Sequence, residues 1–178
     1  MIKKKAVKKS NKQASSSDDI IKLILDDHKP LKKLIKVMKN DDKDIEERRK
    51  AFEDFAPLLI AHAKPEEQAL YAYMKEDDDL RVEGLEGDVE HAIADQLVHE
   101  AKNTDDEDLF SARIKVLAEL VEHHIEEEEE EMLPNVRKNS EVEERSELGQ
   151  RYLQLRMKYE SNDRMSARNR SSDYRTQQ

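Results

Sequence analysis

The chain has no cysteine and no tryptophan. Disulfides, thiolate metal sites and a cysteine nucleophile are thereby excluded. The missing disulfides suit a reducing compartment, and the expected location is the cytoplasm. Only three glycines occur in 178 residues, which excludes collagen-like and glycine-rich classes. Aromatic residues make up 4%, so a core has to be aliphatic, built from Leu, Ile, Val, Ala and Met. No apolar run approaches the roughly 20 residues of a bilayer span, so no membrane partner is expected. The lysine-rich start is not followed by the apolar stretch of a secretion signal.

Charge is what the chain has in abundance, at 42% of residues, a composition that favours long helices. The net charge of −10 is unevenly spread. Residues 1–17 hold six lysines and no acid, and residues 151–178 hold seven bases and three acids, leaving −20 for residues 18–150. So acidic a body repels phosphates and attracts cations. The Lys-rich tail, residues 1–17, is expected to be disordered and to act as a solubilising tail; the alternative is an electrostatic anchor for an acidic partner or for nucleic acid, which only this tail could meet.

Helical spacing runs through the body. Asp18 or Asp19 can cap a first helix carrying Ile21, Ile24, His28, Leu31 and Met38, ended by Asn40-Asp41-Asp42. Pro30 lies inside it and should bend it locally. A second helix runs from about Asp44 to Lys75 through Phe52, Phe55, His62, Glu66, Leu70 and Tyr73. Pro57 and Pro65 interrupt it, each at a cost on the order of 3 kcal/mol, so a kink beside a ligand or a break into two helices is expected. A third begins between Leu80 and Asp88 and carries His91, Ala94, Asp95, Val98 and Ala101 on one face. A fourth, with Ile114, Leu117, His124, Glu128 and Met132, runs to about Leu133 and stops at Pro134. A fifth, about Glu141 to Glu160, carries Val142, Leu148, Tyr152 and Leu155, and the basic sequence after it is expected to fray. Strand signals are absent. Short connectors imply antiparallel neighbours, hence an all-α, up-down-up-down four-helix bundle with an additional C-terminal helix. The expected boundaries are 1–17 for the tail, 18–137 for the bundle and 138–178 for a helical extension with its own basic tail.

Within this pattern the chain repeats itself. His62-Ala-Lys-Pro-Glu66-Glu67-Gln-Ala-Leu70 returns as His124-Ile-Glu-Glu-Glu128-Glu129-Glu-Glu-Met132. Each copy has a lone upstream histidine, His28 or His91, so four of only six histidines share one register. Residues four apart share a helix face, so His62 with Glu66, and His124 with Glu128, can each reach one centre. Both pairs lie on the apolar face. A buried carboxylate without a partner is costly, and two carboxylates with four histidines answer that cost by binding cations. If both glutamates bridge two ions and each ion takes two histidines, each has two nitrogens and two oxygens. A bridging oxide or hydroxide adds a fifth ligand and leaves an octahedral position open. Imidazole with carboxylate suits iron, and manganese or zinc less distinctively.

The set Asp27-His28-Lys-Pro-Leu, His62-x-x-x-Glu66-Glu67-x-x-Leu-Tyr, Glu90-His91 and His124-x-x-x-Glu128-Glu129-x-x-Met-Leu-Pro resembles the hemerythrin family, in its bacterial HHE cation-binding branch, over about residues 18–137. The resemblance implies a four-helix bundle with a non-haem di-iron centre. It implies His28, His62, Glu66, His91, His124 and Glu128 as ligands. Oxygen-carrying hemerythrins have a further histidine four residues after the third-helix one, where this chain has Asp95, and a His-x4-Asp in the last helix, where this chain has His-x3-Glu. These departures point away from reversible oxygen carriage and toward redox chemistry or sensing, with Asp95 a candidate further oxygen ligand. The absence of cysteine also removes the cysteine-bearing domain of the iron-sulfur repair relatives.

Alternatives stand beside these readings. A lone core histidine is more often structural than a ligand, and only the shared register lifts His28 and His91 above that. His123 could pair with Glu127 instead of serving as ligand, whereas His124 sits with Leu117, Leu120 and Val121. His99 has no motif partner. Glu67 and Glu129 could orient histidines or simply face solvent. Tyr71 and Tyr73 lie within two turns of Glu66; Tyr73 is on the core face, and packing is its expected role. Three functions follow. One is a protein that binds dioxygen, peroxide or nitric oxide at an open site on two iron ions, in sensing or in an oxidative or nitrosative stress response. A second is an enzyme that decomposes peroxide or oxidises ferrous iron. A third is a helical interaction module with a structural metal.

Overall fold

The computed structural model describes residues 18–173, with side chains through residue 161. The expected disorder of residues 1–17 lies outside the described residues. Every element among the described residues is helical: α1 (Ile20–Met38), α2 (Ile45–Glu66), a π-helical turn (Glu67–Tyr71), α3 (Ala72–Met74), α4 (Arg81–Lys102), α5 (Glu107–Glu127), a second π-helical turn (Glu128–Met132), α6 (Leu133–Asn139) and α7 (Val142–Asp173).

The helix starts follow from capping chemistry. Asp19 accepts from the Ile21 N–H at 3.0 Å, Asp44 from Glu47 at 2.8 Å and Asp106 from Leu109 at 2.8 Å. Each satisfies a backbone donor that the helix itself leaves without a partner. Glu46 and Glu47 in the first turn of α2 add charge of the sign the helix dipole favours there.

Three expectations about boundaries change. Neither Pro57 nor Pro65 breaks α2, which runs through both. The irregularity comes just after Pro65, as the π-helical turn that starts at Glu67. The fourth helix does not stop at Pro134. That residue occupies the first turn of α6, where its missing N–H costs little, and the helix goes on to Asn139. The C-terminal helix does not fray after Glu160 but continues to Asp173.

Two apolar layers are separated by a polar one. Leu31, Ile35, Phe55, Leu59, Val98, Ile114, Leu117 and Ile125 belong to the first layer. Ile20, Ile24, Leu70, Met74, Leu80, Met132, Leu133 and Val136 belong to the second. Between them lie His28, His62, Glu66, His91, His124 and Glu128, all buried. Helix α1 contributes to both layers, α2, α4 and α5 contribute to the first, and the two π-helical turns contribute to the second. Each large buried apolar side chain contributes about 1.5–3 kcal/mol, and the two layers together offset the cost of the polar layer between them.

Helix α7 packs on α1, α2 and the first π-helical turn. Its Gly149 makes that approach possible, because a β-carbon there would overlap the Asp18 carbonyl oxygen. Buried Arg145 anchors the start of α7 by its Nε to Asp19 at 2.9 Å and by Nη1 to the Ser140 carbonyl at 2.7 Å. Tyr152, fully buried, reaches from α7 toward the polar layer.

Candidate metal centre

All six side chains expected from the repeat meet in the polar layer. They form two groups, His28 with His62 and Glu128, and Glu66 with His91 and His124. Each group draws on both halves of the chain. The i, i+4 spacing acts as expected: His62 Nε2 lies 3.3 Å from Glu66 Oε2, and His124 Nε2 lies 3.6 Å from Glu128 Oε2. Each carboxylate also approaches an imidazole on another helix. Glu128 Oε2 is 3.2 Å from His28 Nε2, and Glu66 Oε2 is 3.9 Å from His91 Nε2. Each glutamate thus touches one histidine of each group.

The four imidazoles share one orientation, with Nε2 inward and Nδ1 outward. His28 Nδ1 donates to Glu129 at 2.9 Å, and His124 Nδ1 donates to Glu90 at 2.6 Å. His91 Nδ1 faces Glu67 at 3.4 Å. His62 Nδ1 lies 3.2 Å from the Tyr152 hydroxyl, which itself donates to Asp27 at 2.6 Å. Since the phenol uses its proton on Asp27, its oxygen accepts from His62 Nδ1–H. Arg156 pairs with the same carboxylate. A proton fixed on Nδ1 leaves the lone pair on Nε2, the form in which imidazole binds a metal.

Five inward atoms have no hydrogen-bond partner: His28 Nε2, His62 Nε2, both oxygens of Glu66, and Glu128 Oε2. Buried polar atoms are normally satisfied, so this cluster of orphans is a signal for a missing electropositive partner. The distances agree. Ligand atoms about 2.1 Å from one ion and at right angles stand about 3 Å apart, close to the 3.0 Å between His91 Nε2 and His124 Nε2. The donor set of imidazole and carboxylate fits iron or a similar divalent ion.

The electrostatics of the cluster fit the same purpose. Burial, then the charge of Glu128, push the Glu66 carboxyl well above the usual carboxylate range. Burial opposes charge on Glu128 too, but His124 and His28 outweigh it and hold that carboxyl below its ordinary value. Without cations the two carboxylates therefore retain a proton on Glu66, since two like charges this close in a dry site resist ionising together. Burial, then the charge of His28, push His62 well below its ordinary value, which keeps its Nε2 lone pair available. At His124 burial works against charge, yet Glu128 and Glu90 prevail and raise it.

Some expected residues fall elsewhere. Asp95 joins neither group; it pairs with Lys64 at 2.5 Å at the rim of the bundle. His123 is exposed and faces Glu127, as its alternative reading had it, and His99 is exposed beside Asn103. Glu67 and Glu129 do stand behind His91 and His28. Tyr73 is not the core-facing tyrosine. The π-helical turn before it widens the helix, so that Ala69, Leu70, Tyr71 and Met74 are the fully buried residues there, and Tyr73 is partly exposed near the Asn139 carbonyl. Two supporting residues had not been singled out. Glu90 carried a signal as the neighbour of His91, whereas Tyr152 was legible only as one apolar position on a helix of uncertain docking.

A cleft walled by Glu83, Glu86, Glu90, Glu127, Glu131 and Met132 reaches His124 from the surface. Its carboxylates favour cations over anions at that mouth. The family model for the hemerythrin HHE cation binding domain matches residues 19–136. No curated protein and no solved structure gives a match.

Proposed function

The chain belongs to the hemerythrin family, by its HHE cation-binding domain, and on that footing we propose that it is a non-haem di-iron protein that binds dioxygen, peroxide or nitric oxide. The observation that carries this reading is the convergence of four inward Nε2 atoms and two glutamates, five of whose buried atoms lack a hydrogen-bond partner. His28, His62 and Glu128 would hold one ion, and Glu66, His91 and His124 the other, with each glutamate shared. A pair of iron ions bound there would supply one-electron redox chemistry and open coordination positions for a small ligand. The helices serve as the up-down-up-down bundle of the family, in the cytoplasm.

The chain's own residues prepare that site. Glu129, Glu90 and Tyr152 fix the outward nitrogens of His28, His124 and His62, so these three ring orientations exist before any cation arrives, and Glu67 stands 3.4 Å from the outward nitrogen of His91. The apolar layers on either side keep bulk water out, which strengthens every charge interaction between them. The Glu66 carboxyl releases its proton when a cation takes its place, so loading consumes a charge penalty instead of adding one. Tyr152 ties this centre to α7, which makes a route from ligand binding to the C-terminal helix, in keeping with a role in sensing or in an oxidative or nitrosative stress response.

The test is metal analysis of the full chain expressed in iron-replete medium, with spectra in both oxidation states and titration with nitric oxide. Two irons per chain and a spectral change on adding nitric oxide support the proposal. Oxygen released from added peroxide, and lost in Glu66→Ala, would make the protein an enzyme. One zinc with no redox response would make the metal structural and refute the di-iron reading.

A further inference from the structure

Tyr71 is fully buried, and its hydroxyl lies on the inner side of the centre. It donates to Glu128 Oε1 at 2.9 Å and stands 3.2 Å from His124 Nε2. Its ring lies against the His91 imidazole, with centroids 5.2 Å apart. This placement contrasts with Tyr152, whose hydroxyl meets the outward Nδ1 of His62. Tyr152 stands behind an imidazole, whereas Tyr71 stands among the atoms that face the ions.

The space for the Tyr71 ring is reserved. It passes over Gly87, one helical turn before His91, and a β-carbon at that position would come within 2.6 Å of the ring Cζ. The π-helical turn Glu67–Tyr71 rotates the side chain inward just after Glu66. The repeat offers no equivalent on the other side, since the offset of 62 that relates His62 to His124 places Leu133 opposite Tyr71. The phenol therefore breaks the twofold pattern of the donor set on one side only.

Resting on the di-iron reading, we propose that the Tyr71 phenolic oxygen is a seventh protein ligand, to the ion held by Glu66, His91 and His124. Its distances to His124 Nε2 and Glu128 Oε1 are those of neighbouring ligand atoms around one ion, about 3 Å. On coordination the O–H bond gives way to an O–metal bond, and the proton, already directed at Glu128, leaves to solvent, as protons do when cations displace them. That ion then has five protein donors where its neighbour has four, so the two differ in charge environment and in room for a small ligand.

A phenolate on ferric iron announces itself by a visible charge-transfer band and by tyrosine ring vibrations in resonance Raman spectra excited within it. The experiment uses the full chain, loaded with iron to saturation and oxidised. Wild type is expected to show both signals, Tyr71→Phe to lose them while keeping two irons per chain, and Tyr73→Phe, at a partly exposed ring near the Asn139 carbonyl, to keep them. Gly87→Ala provides an independent variant: its new β-carbon pushes on the ring and should shift the band. Two ferric ions without a tyrosinate signal in wild type would overturn the proposal and leave the di-iron reading intact. So would a band that survives Tyr71→Phe, or one that Gly87→Ala leaves unchanged. Failure of wild type to hold an iron pair would sink the di-iron reading, and this assignment with it.

Discussion

Glu66→Gln is expected to change sign with the state of the centre. Glu66 is fully buried, and neither carboxyl oxygen has a hydrogen-bond partner. In the cation-free protein, burial and the charge of Glu128 raise its pKa well above the usual range. A group raised in the folded state contributes stability that is complete below its unfolded value, about 4.3 for glutamate, and is lost as pH rises through the folded value. Cation-free wild type should therefore weaken as pH climbs above about 4.3, and the variant, with nothing to ionise at that position, should weaken less. An unsatisfied buried polar group costs about 1–3 kcal/mol, and more when charged. The amide is also poorly satisfied but neutral, so at pH 8 the variant should gain on the order of 1 kcal/mol in the presence of chelator. With cations the balance reverses. Two sites filled at about 100 times their dissociation constants add about 2.7 kcal/mol each. For a chain of this size that is a rise in Tm of about 10–20 °C, most of which the variant should lose. Melting curves by circular dichroism at pH 6 and 8, with ferrous iron under argon or with chelator, read both arms. A variant less stable than wild type in chelator at pH 8, or one that keeps the full metal-dependent rise, would refute the reasoning.

Other outcomes follow from single contacts. Tyr152→Phe removes the hydroxyl that joins His62 to Asp27; iron affinity measured by chelator competition should fall about 10–100-fold. Asp95→Ala breaks only a rim ion pair with Lys64, so metal analysis should still find two ions per chain. Arg48→Met removes a buried guanidinium that donates to the Met38 carbonyl and to Ser111, and should cost about 1–3 kcal/mol in urea unfolding with metal content unchanged. Gly149→Ala forces a β-carbon into the Asp18 carbonyl and should cost about 1–3 kcal/mol, with faster proteolysis of α7.

The six converging residues were legible because side chains that share one centre are constrained in spacing. His-x-x-x-Glu on an apolar stripe, twice, with one upstream histidine each, leaves little freedom in where six side chains go. The helix starts were legible for a similar reason, since Asp44 and Asp19 are short acceptors at the places where backbone donors need them. What escaped depends on long-range geometry. Tyr73 was favoured over Tyr71 because a regular 3.6-residue period was carried through residues 67–71, where the helix widens. Pro134 read as a stop because the second π-helical turn, Glu128–Met132, which makes it a first-turn residue, leaves no mark in local propensity. Asp95 shares the face of His91, but the nearer cation, Lys64, claims it. Tyr152 is separated from its partner by 90 residues, and no local pattern encodes such a contact.

The outward partners of the four imidazoles are not equal. His28, His91 and His124 each face a carboxylate, whereas His62 faces a phenol with the carboxylate of Asp27 one step behind it. A carboxylate at the far nitrogen makes an imidazole a stronger electron donor, so the place that includes His62 is the poorer of the two. Filling should then be ordered. On the di-iron reading, chains with a single tenant would accumulate where iron is scarce, and the pair would be completed only as supply rises.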